Sequence, residues 1–220
     1  MIKVSCNTNY ILYVDIFNLI LKSGKYPSTW RENFIKPLIK GGSTSDPSCY
    51  RGIAISSCLS KLFTRILFNR LEKYLENNNI ICPEQIGFKR GARTSDHIFT
   101  LKSLIDKFKK NNKYLFACFV DLKKAFDTVN RQALLFKMNR YNIRGHFLNI
   151  IEDMYNEVSF SIKLANGITQ PFQTSIGVKQ RCVLSPTFFL VYMNDLVEHF
   201  NLECDPVSIN GKSISFVICR

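Results

Sequence analysis

Acidic residues are scarce in this sequence. Asp and Glu total 17 against 30 Lys and Arg in 220 residues, which gives a net charge of +13 at pH 7. An excess of this size predicts a polyanionic partner that the chain binds through phosphate contacts and counterion release. Solubility alone would not require so much charge of one sign. Composition therefore favours nucleic acid as the partner.

Paired cysteines and long hydrophobic runs are also missing. The eight cysteines show no Cys-x-x-Cys spacing, and none lies at metal-ligand spacing from the three histidines. The sequence thus argues against structural zinc and a disulfide framework, and predicts buried free thiols. The apolar stretch from Tyr10 to Leu21 is interrupted by Asp15 and Asn18 and is too short to span a bilayer. It also lacks the charged n-region and the small-residue cleavage site of a signal peptide. We expect an intracellular protein of the cytoplasm or nucleus, with no membrane contact.

The most informative stretch is an apolar run that ends on a carboxylate. Residues 114–120 are almost entirely strand-forming, and they predict a strand that is buried on both faces and presents Asp121 at its tip. Lys123, Lys124 and Phe126 follow within one short turn. A carboxylate, two ammonium groups and a ring suit a metal-bound nucleotide, but an ordinary solvated turn has the same composition. The residues alone leave both interpretations open.

Around this stretch, periodicity predicts helices and two hairpins. Helical spacing covers residues 10–21, 59–76, 94–108, 130–140, 147–155 and 187–200, with Gly24, Asn130 and Gly145 at helix ends and Thr94 or Ser95 and Ser185 as N-caps. Residues 34–39 predict an edge strand because Pro37 interrupts them. Asn-Gly pairs at 166–167 and 210–211 predict hairpin turns. The fold class is α+β.

Four ordered blocks resemble one known family. Residues 119–129 (FVDLKKAFDTV) are similar to the palm motif of reverse transcriptases, in the form found in non-LTR, jockey-type retrotransposons. The other blocks are residues 30–40 with 50–53, residues 85–89 with 94–96, and residues 177–186. Together they extend over about residues 18–200, which is more specific than any single motif. The resemblance implies right-hand polymerase fingers in residues 1–110, part of a palm with an antiparallel sheet packed on helices in residues 111–220, and no thumb.

The resemblance also implies roles for individual residues. Asp121 would be the catalytic metal ligand for Mg²⁺ in a two-metal nucleotidyl transfer. The nucleotide contacts would be Lys40, Arg51, Lys124, Ala125, Phe126 and Gln180. The template contacts would be Phe88, Lys89, Arg90 and Arg93. The implied partners are an RNA template, a DNA primer and deoxynucleoside triphosphates, and the oligomeric state stays open.

Three departures from the family pattern bear on whether this chain is expected to be active. Arg181 stands where the family usually has glycine after the glutamine, and Gly52 stands where proline is common. The paired aspartates of the family's next hairpin are absent, since no acidic residue follows Asp205. A single carboxylate from Asp121 would then have to hold both ions, with Asp127 or Asp195 as poor substitutes. We therefore expect this chain, truncated before the second motif, to give no product in primer extension.

Four interpretations stay open at this point. The chain is either a reverse transcriptase domain fragment or a non-catalytic nucleic-acid-binding remnant that keeps the basic surface. A group II intron maturase-like reverse transcriptase fits the wording of the Asp121 block less well. Without the resemblance, the residues would indicate only a basic α+β protein of unknown role.

Overall fold

The computed structural model describes residues 2–89, 91–117, 119–196, 199, 207–209 and 212–214. Its helices are α1 Ile2–Ser23, α2 Cys58–Asn77, α3 Thr94–Lys110, α4 Arg131–Arg140, α5 His146–Tyr155 and α6 Ser185–Met193. Its strands are β1 Glu32–Ile39, β2 Tyr50–Ile55, β3 Ser159–Leu164, β4 Gly167–Ile168, β5 Phe172–Gln173, β6 Val207–Ile209 and β7 Lys212–Ile214. The predicted α+β class is confirmed.

The core lies among the helices. One end of the core is an aromatic cluster whose contacting ring centroids lie 5.4–6.4 Å apart. It consists of Phe17 of α1, Phe63 of α2, and Tyr26 and Trp30 from the segment between these helices. Burying rings of this size contributes most of the local stabilisation by removing apolar surface from water. The cluster continues through buried residues of the last three major helices, which include Met138, Ile150, Met154 and Phe188.

The main sheet has the order β2-β1-β3-β4, with β5 on β3. β1 pairs antiparallel with β2 and parallel with β3, so the sheet is mixed and joins strands from both sides of residue 110. The predicted strand containing Pro37 is confirmed, but β1 is not an edge strand throughout. β3 pairs only with Glu32–Ile35, so Pro37 lies beyond that ladder, where its missing N–H costs no hydrogen bond.

Local signals located most element ends. The Gly24 N–H donates to the Ile20 carbonyl with a positive φ of 67°, Asn130 accepts from the Ala133 N–H, and Gly167 pairs with Leu164 in the predicted hairpin. Residues 197, 198 and 200 of the last predicted helix, the Asn210-Gly211 turn and residues 215–218 of the second hairpin lie outside the described residues.

Two predicted N-caps are wrong. At the start of α3 the Asp96 carboxylate accepts from the Arg93 N–H, so neither Thr94 nor Ser95 has the N-cap position. At the start of α6 the N-cap is Leu184, and the Ser185 hydroxyl donates to the Lys179 carbonyl instead. In both places the side chain that the sequence pattern assigns to the cap is not the one that makes the capping hydrogen bond. At α3 the bond comes from Asp96, and at α6 the Ser185 hydroxyl bonds to a backbone carbonyl of the preceding loop.

The predicted buried strand over residues 114–120 is also wrong. Residues 114–117 and 119–120 form no strand, and Tyr114, Phe116, Phe119 and Val120 are 88, 92, 80 and 69% exposed. A strand requires a neighbour to satisfy its N–H and C=O groups, and β1–β5 use other partners. An open apolar groove of about 310 Å³ separates this segment from α3, whose predicted apolar face is partly uncovered, with Ile98 64% exposed.

Cysteines and hydrophobic helices agree in part with expectation. Cys49, Cys58, Cys82 and Cys182 are free thiols, but Cys58 is exposed and the other three are half-buried, so their predicted full burial is wrong. Among the described residues, no helix combines the length and apolar character needed to cross a bilayer.

Candidate nucleotide and nucleic-acid site

The turn after Asp121 is compact and open to solvent. The N–H groups of Asp127 and Thr128 both donate to the Lys124 carbonyl, at 2.8 and 3.2 Å, which closes the turn. Lys124 has a positive φ of 55°, and turns of this kind form amide concavities that bind anions. Asp121, Lys123 and Lys124 are exposed. The turn therefore offers one carboxylate and two ammonium groups at the same surface.

Phe126 connects this turn to the segment before α3 and to α6. Its ring is half-buried and contacts Phe88 at 5.8 Å and Phe189 of α6 at 5.2 Å between centroids. Phe88 has a positive φ of 58° and remains 50% exposed. The structure thus brings together the predicted nucleotide ring and the predicted template ring, while leaving one face of the pair open.

The later loop lies directly on the motif turn. The Gly177 N–H donates to the Val129 carbonyl and the Val178 N–H to the Phe126 carbonyl, at 2.8 and 2.9 Å. A Cβ on Gly177 would lie 2.8 Å from the Asp127 carbonyl oxygen, so only glycine allows this approach. Gln180 Nε2 donates to Asp127 Oδ1 at 2.8 Å. Gln180 is therefore held beside the turn, and its predicted contact with nucleotide stays a prediction.

Arg131, which the sequence analysis did not single out, holds this loop by hydrogen bonds from its guanidinium group. Its guanidinium donates to the carbonyls of Tyr155, Thr174, Ile176 and Gly177 and to the Thr174 hydroxyl. It also lies 5.0 Å from the Tyr155 ring centroid. Burial lowers the pKa of Arg131, which still carries its charge at neutral pH. One side chain therefore satisfies most of the acceptors in residues 174–177.

Lys179 is the second residue that the sequence analysis missed. Its side chain is 5% exposed, and its Nζ lies 5.6 Å from the Tyr26 ring centroid. Neither ion pair of the described chain includes it. Burial lowers the pKa of Lys179 from 10.5 to about 8; the Cys182 thiol opposes this shift, and Arg131 and Arg31 add to it. The loop thus keeps a buried ammonium group that has no carboxylate partner in the described chain.

Arg181 has a backbone conformation that explains the family's glycine. Its φ is +66°, in the left-handed region where a Cβ meets the following carbonyl oxygen. The side chain itself is exposed. The departure from the family pattern is therefore a local strain in the loop.

We expect Arg181→Gly to raise the free energy of unfolding by about 0.5–1 kcal/mol, because glycine adopts this φ without strain. Urea unfolding would measure it as a higher midpoint at unchanged slope. Arg181→Ala is the matched control: it removes the same charge but keeps a Cβ, so it should give no such gain. Equal gains from both variants would assign the effect to charge instead.

Two other carboxylates near the motif are already engaged. Asp195 forms an ion pair with Lys137 of α4, and Asp127 accepts from Gln180. Next to Asp195, Asn194 accepts from the Cys82 N–H and donates to the Ile80 carbonyl and the Tyr141 hydroxyl, which ties α6 to the loop after α2. Asp121 is thus the carboxylate of this region that has no partner among the described residues.

The remaining predicted residues lie on separate elements. Arg51 is exposed on β2, and Lys40 follows β1, where its N–H donates to the Cys49 carbonyl. Lys89 and Arg93 are exposed on either side of the segment that enters α3, and Arg90 lies outside the described residues. No hydrogen bond or ion pair in the described chain joins any of these cations to the Asp121 turn. Their shared role stays a prediction.

Asp121 fits a divalent ion that arrives with a nucleotide. Mg²⁺ commonly takes one or two carboxylates together with substrate phosphates, and the exposed Asp121 carboxylate beside Lys123 and Lys124 suits that mode. Among the described residues, no group of three His, Cys, Asp or Glu side chains could enclose an ion by itself. The described part of the chain therefore suits one nucleotide-borne ion and supplies no enclosed metal cage.

The α+β arrangement, in which a later loop is hydrogen-bonded to the motif turn, has a counterpart in a solved telomerase structure. In the solved structures, the chain is similar to a telomerase from Candida tropicalis, truncated from its C-terminal domain, with a TM-score of 0.52 at 16% identity. The match covers 89% of this chain and 45% of that one, and it supports the fold.

Comparison with known protein families shows which family the chain belongs to. Residues 39–218 match the model for reverse transcriptase (RNA-dependent DNA polymerase), and the chain belongs to that family. Curated relatives include the probable RNA-directed DNA polymerase from transposon BS of Drosophila melanogaster, which is 29% identical over 188 residues that cover 84% of this chain and 21% of that protein. The polymerase from mobile element jockey of the same species is 27% identical over 84% of this chain and 20% of its own length.

The relatives are polymerases of non-LTR retrotransposons, as the motif resemblance predicted. A Pol polyprotein of the type-1 retrotransposable element R2 from Popillia japonica adds 29% identity over 83% of this chain and 25% of that protein. The chain spans about a fifth to a quarter of the length of these relatives.

Proposed function

We propose that the chain is the nucleotide- and template-binding part of a non-LTR retrotransposon reverse transcriptase, which copies RNA into DNA. The observation that supports this most is the free Asp121 carboxylate on a lysine-rich turn, in contact through Phe126 with Phe88 and through Asp127 with Gln180. Residues 1–110 would act as fingers and residues 111–220 as part of the palm.

The proposal assigns to each residue of the site a contact that suits the chemistry of its side chain or backbone amide. Asp121 would bind the Mg²⁺ of an incoming deoxynucleoside triphosphate, and the amides of Lys124 and Ala125 would donate to its phosphates. Such an ion supplies charge neutralisation at the phosphates. Phe126, backed by Phe189, would lie against the sugar and disfavour a 2′-hydroxyl. Lys40 and Arg51 would contact phosphate oxygens from the sheet.

The template contacts would come from the segment before α3. Phe88, with half its ring surface exposed, suits stacking with a base, and Lys89, Arg90 and Arg93 suit backbone phosphates. A charge of +13 favours an RNA template and DNA primer as partners. The same charge favours the second candidate, a remnant that binds nucleic acid without using nucleotides.

We expect Asp121→Asn to weaken binding of Mg²⁺·dNTP at least about 10-fold, since it removes the one free carboxylate of the turn while keeping its shape. Isothermal titration with Mg²⁺·dTTP would measure the loss. Asp106→Asn, on the exposed side of α3, makes the same charge change and should leave binding unaltered.

Unchanged nucleotide binding in Asp121→Asn would contradict the assignment of Asp121. Binding of RNA that weakens steeply with salt, together with no nucleotide binding in the unmodified chain, would favour the remnant.

A further inference from the structure

One of the described cysteines lies in a tight turn beside a buried lysine. Cys182 ends the loop of residues 177–182, and its half-buried side chain packs against the core. Its N–H donates to the Lys179 carbonyl at 3.2 Å, and its own carbonyl accepts from the Ser185 N–H at the same distance. The backbone therefore holds Cys182 directly before α6, three residues after Lys179.

The charge next to this turn is positive and lacks a counter-ion. Lys179 is 5% exposed, and neither ion pair of the described residues includes it. Of the described groups that affect the pKa of Lys179, Cys182 alone raises it, while Arg131 and Arg31 lower it, and none of these groups is a carboxylate. A buried ammonium group in such surroundings stabilises a negative charge that forms nearby.

The attraction between the two side chains acts in both directions. A Coulomb energy belongs to the pair, so the ammonium group of Lys179 also favours negative charge on the Cys182 sulfur. The thiolate is the form of cysteine that peroxides oxidise, and cysteines beside lysine or arginine are typical sites of such oxidation. Because Cys182 is half-buried rather than enclosed, a reagent as small as hydrogen peroxide can reach it.

The other half-buried thiols of the described chain have the opposite surroundings. The Cys49 thiol donates to the Asp46 carboxylate, with 3.8 Å between sulfur and oxygen. Burial raises the pKa of Cys82, and the Glu84 carboxylate adds to this increase. A carboxylate next to a thiol disfavours the thiolate, so these two cysteines should be slow to react.

We propose that Cys182 is a site of oxidation by hydrogen peroxide, with Lys179 as the cation that makes its sulfur reactive. In this step the sulfur attacks one peroxide oxygen, an S–O bond forms and the O–O bond breaks. The sulfur loses two electrons and the peroxide gains them, while the thiol proton joins the departing hydroxide. The products are a sulfenic acid on Cys182 and one molecule of water.

The position of Cys182 connects this oxidation to the candidate site. Gln180, two residues earlier, donates to Asp127, and Arg181 between them has a strained φ of +66°. An oxygen added to a side chain that packs against the core requires its turn to shift. We expect this shift to loosen the hydrogen bond between Gln180 and Asp127. This part of the inference rests on the proposed function, whereas the oxidation itself does not.

The test is the rate at which each thiol of the folded full chain is lost in dilute hydrogen peroxide at neutral pH. After catalase removes the peroxide, the chain is unfolded, the remaining thiols are alkylated, and peptide mass spectrometry gives the oxidised fraction of each cysteine. Cys182 should react at least about 10-fold faster than Cys49 and Cys82. Lys179→Met, which keeps nearly the same volume, should slow Cys182 about 10-fold and leave the other two within about 2-fold.

The chain contains a matched pair of the same spacing without burial. Cys58 begins α2, and it is exposed, as is Lys61 three residues later. Lys61→Met should change the rate at Cys58 by no more than about 2-fold, because solvent screens exposed charges. In urea, where the fold is lost, Cys182 should react within about 3-fold of Cys49 and Cys82.

Two outcomes would overturn the oxidation site. The first is a Cys182 rate no higher than that of Cys82 in the unmodified chain. The second is an unchanged Cys182 rate in Lys179→Met, which would remove the role of the lysine.

The connection to Gln180 has its own measurement. After peroxide treatment the unmodified chain should bind Mg²⁺·dTTP about 3-fold more weakly than Cys182→Ser treated in the same way. Equal binding would overturn the connection and leave the oxidation site. Binding by neither protein before treatment would overturn the nucleotide part of the proposed function, and the oxidation rates would still decide the site.

Discussion

Arg131→Ala is expected to lower the free energy of unfolding by about 3–5 kcal/mol. The substitution leaves the carbonyls of Tyr155, Thr174, Ile176 and Gly177 without their shared donor. Partly buried acceptors that lose a charged donor cost about 1–3 kcal/mol each, less what water recovers at the exposed ones. The cation–ring contact with Tyr155 is lost as well. Urea unfolding followed by circular dichroism would measure the change.

Arg131→Lys tests whether the stability comes from the several donors of the planar guanidinium group or from its positive charge alone. Lysine keeps the charge but offers a single nitrogen, so it should recover less than half of the lost stability. Arg140→Ala, at the exposed end of the same helix, should change stability by less than about 0.5 kcal/mol. A loss in Arg131→Ala no larger than in Arg140→Ala would contradict the role of Arg131 in holding the loop.

Lys179→Met is expected to raise the free energy of unfolding at pH 7 by about 1–2 kcal/mol. At that pH Lys179 is protonated in both states, and its lowered pKa of about 8 measures the cost of burying the ammonium group. Methionine fills nearly the same volume without a charge, although the contact with the Tyr26 ring is lost.

The pH profile distinguishes this cause from better packing. Between about pH 8 and 10.5 the unfolded chain keeps the Lys179 proton and the folded chain does not, so the stability of the unmodified protein rises with pH. Burial raises the pKa of Tyr26 and Tyr155, so the unfolded state loses their protons first and stability falls again above about pH 10. Lys179→Met should lack the rise and keep the fall.

Lys102→Met, on the exposed surface of α3, is the matched control and should leave both stability and its pH profile unchanged. The same rise between pH 8 and 10 in Lys179→Met as in the unmodified protein would show that another group titrates in that window.

Local sequence signals predicted much of the fold because the interactions behind them are local. Gly24, Asn130, Gly145 and the Asn166-Gly167 pair each act within four residues, so a short window contains the whole interaction. A strand has its hydrogen-bonding partner elsewhere in the chain. Residues 114–120 have the composition of a buried strand, and the described chain gives them no neighbour.

The motif resemblance named residues that the fold brings to one turn, and their roles stay predictions. Phe88, Phe126 and Gln180 were named and do meet through ring contacts and the Gln180–Asp127 hydrogen bond. Arg131 and Asn194 were missed because their partners lie 24 to 114 residues away. Arg131 did offer a signal: a cation in the first turn of a helix opposes the helix dipole, so its presence implies compensating contacts outside that helix.

The uncovered segment over residues 114–117 and 119–120 has a practical consequence for the isolated protein. Its aromatic side chains and backbone groups are available to any other extended chain, including another molecule of the same protein. Concentrated samples at high ionic strength, where the repulsion of thirteen net positive charges is screened, are the conditions that bring such segments together. Handling the protein dilute, or bound to a polyanion, keeps this hydrophobic stretch from becoming the starting point of precipitation.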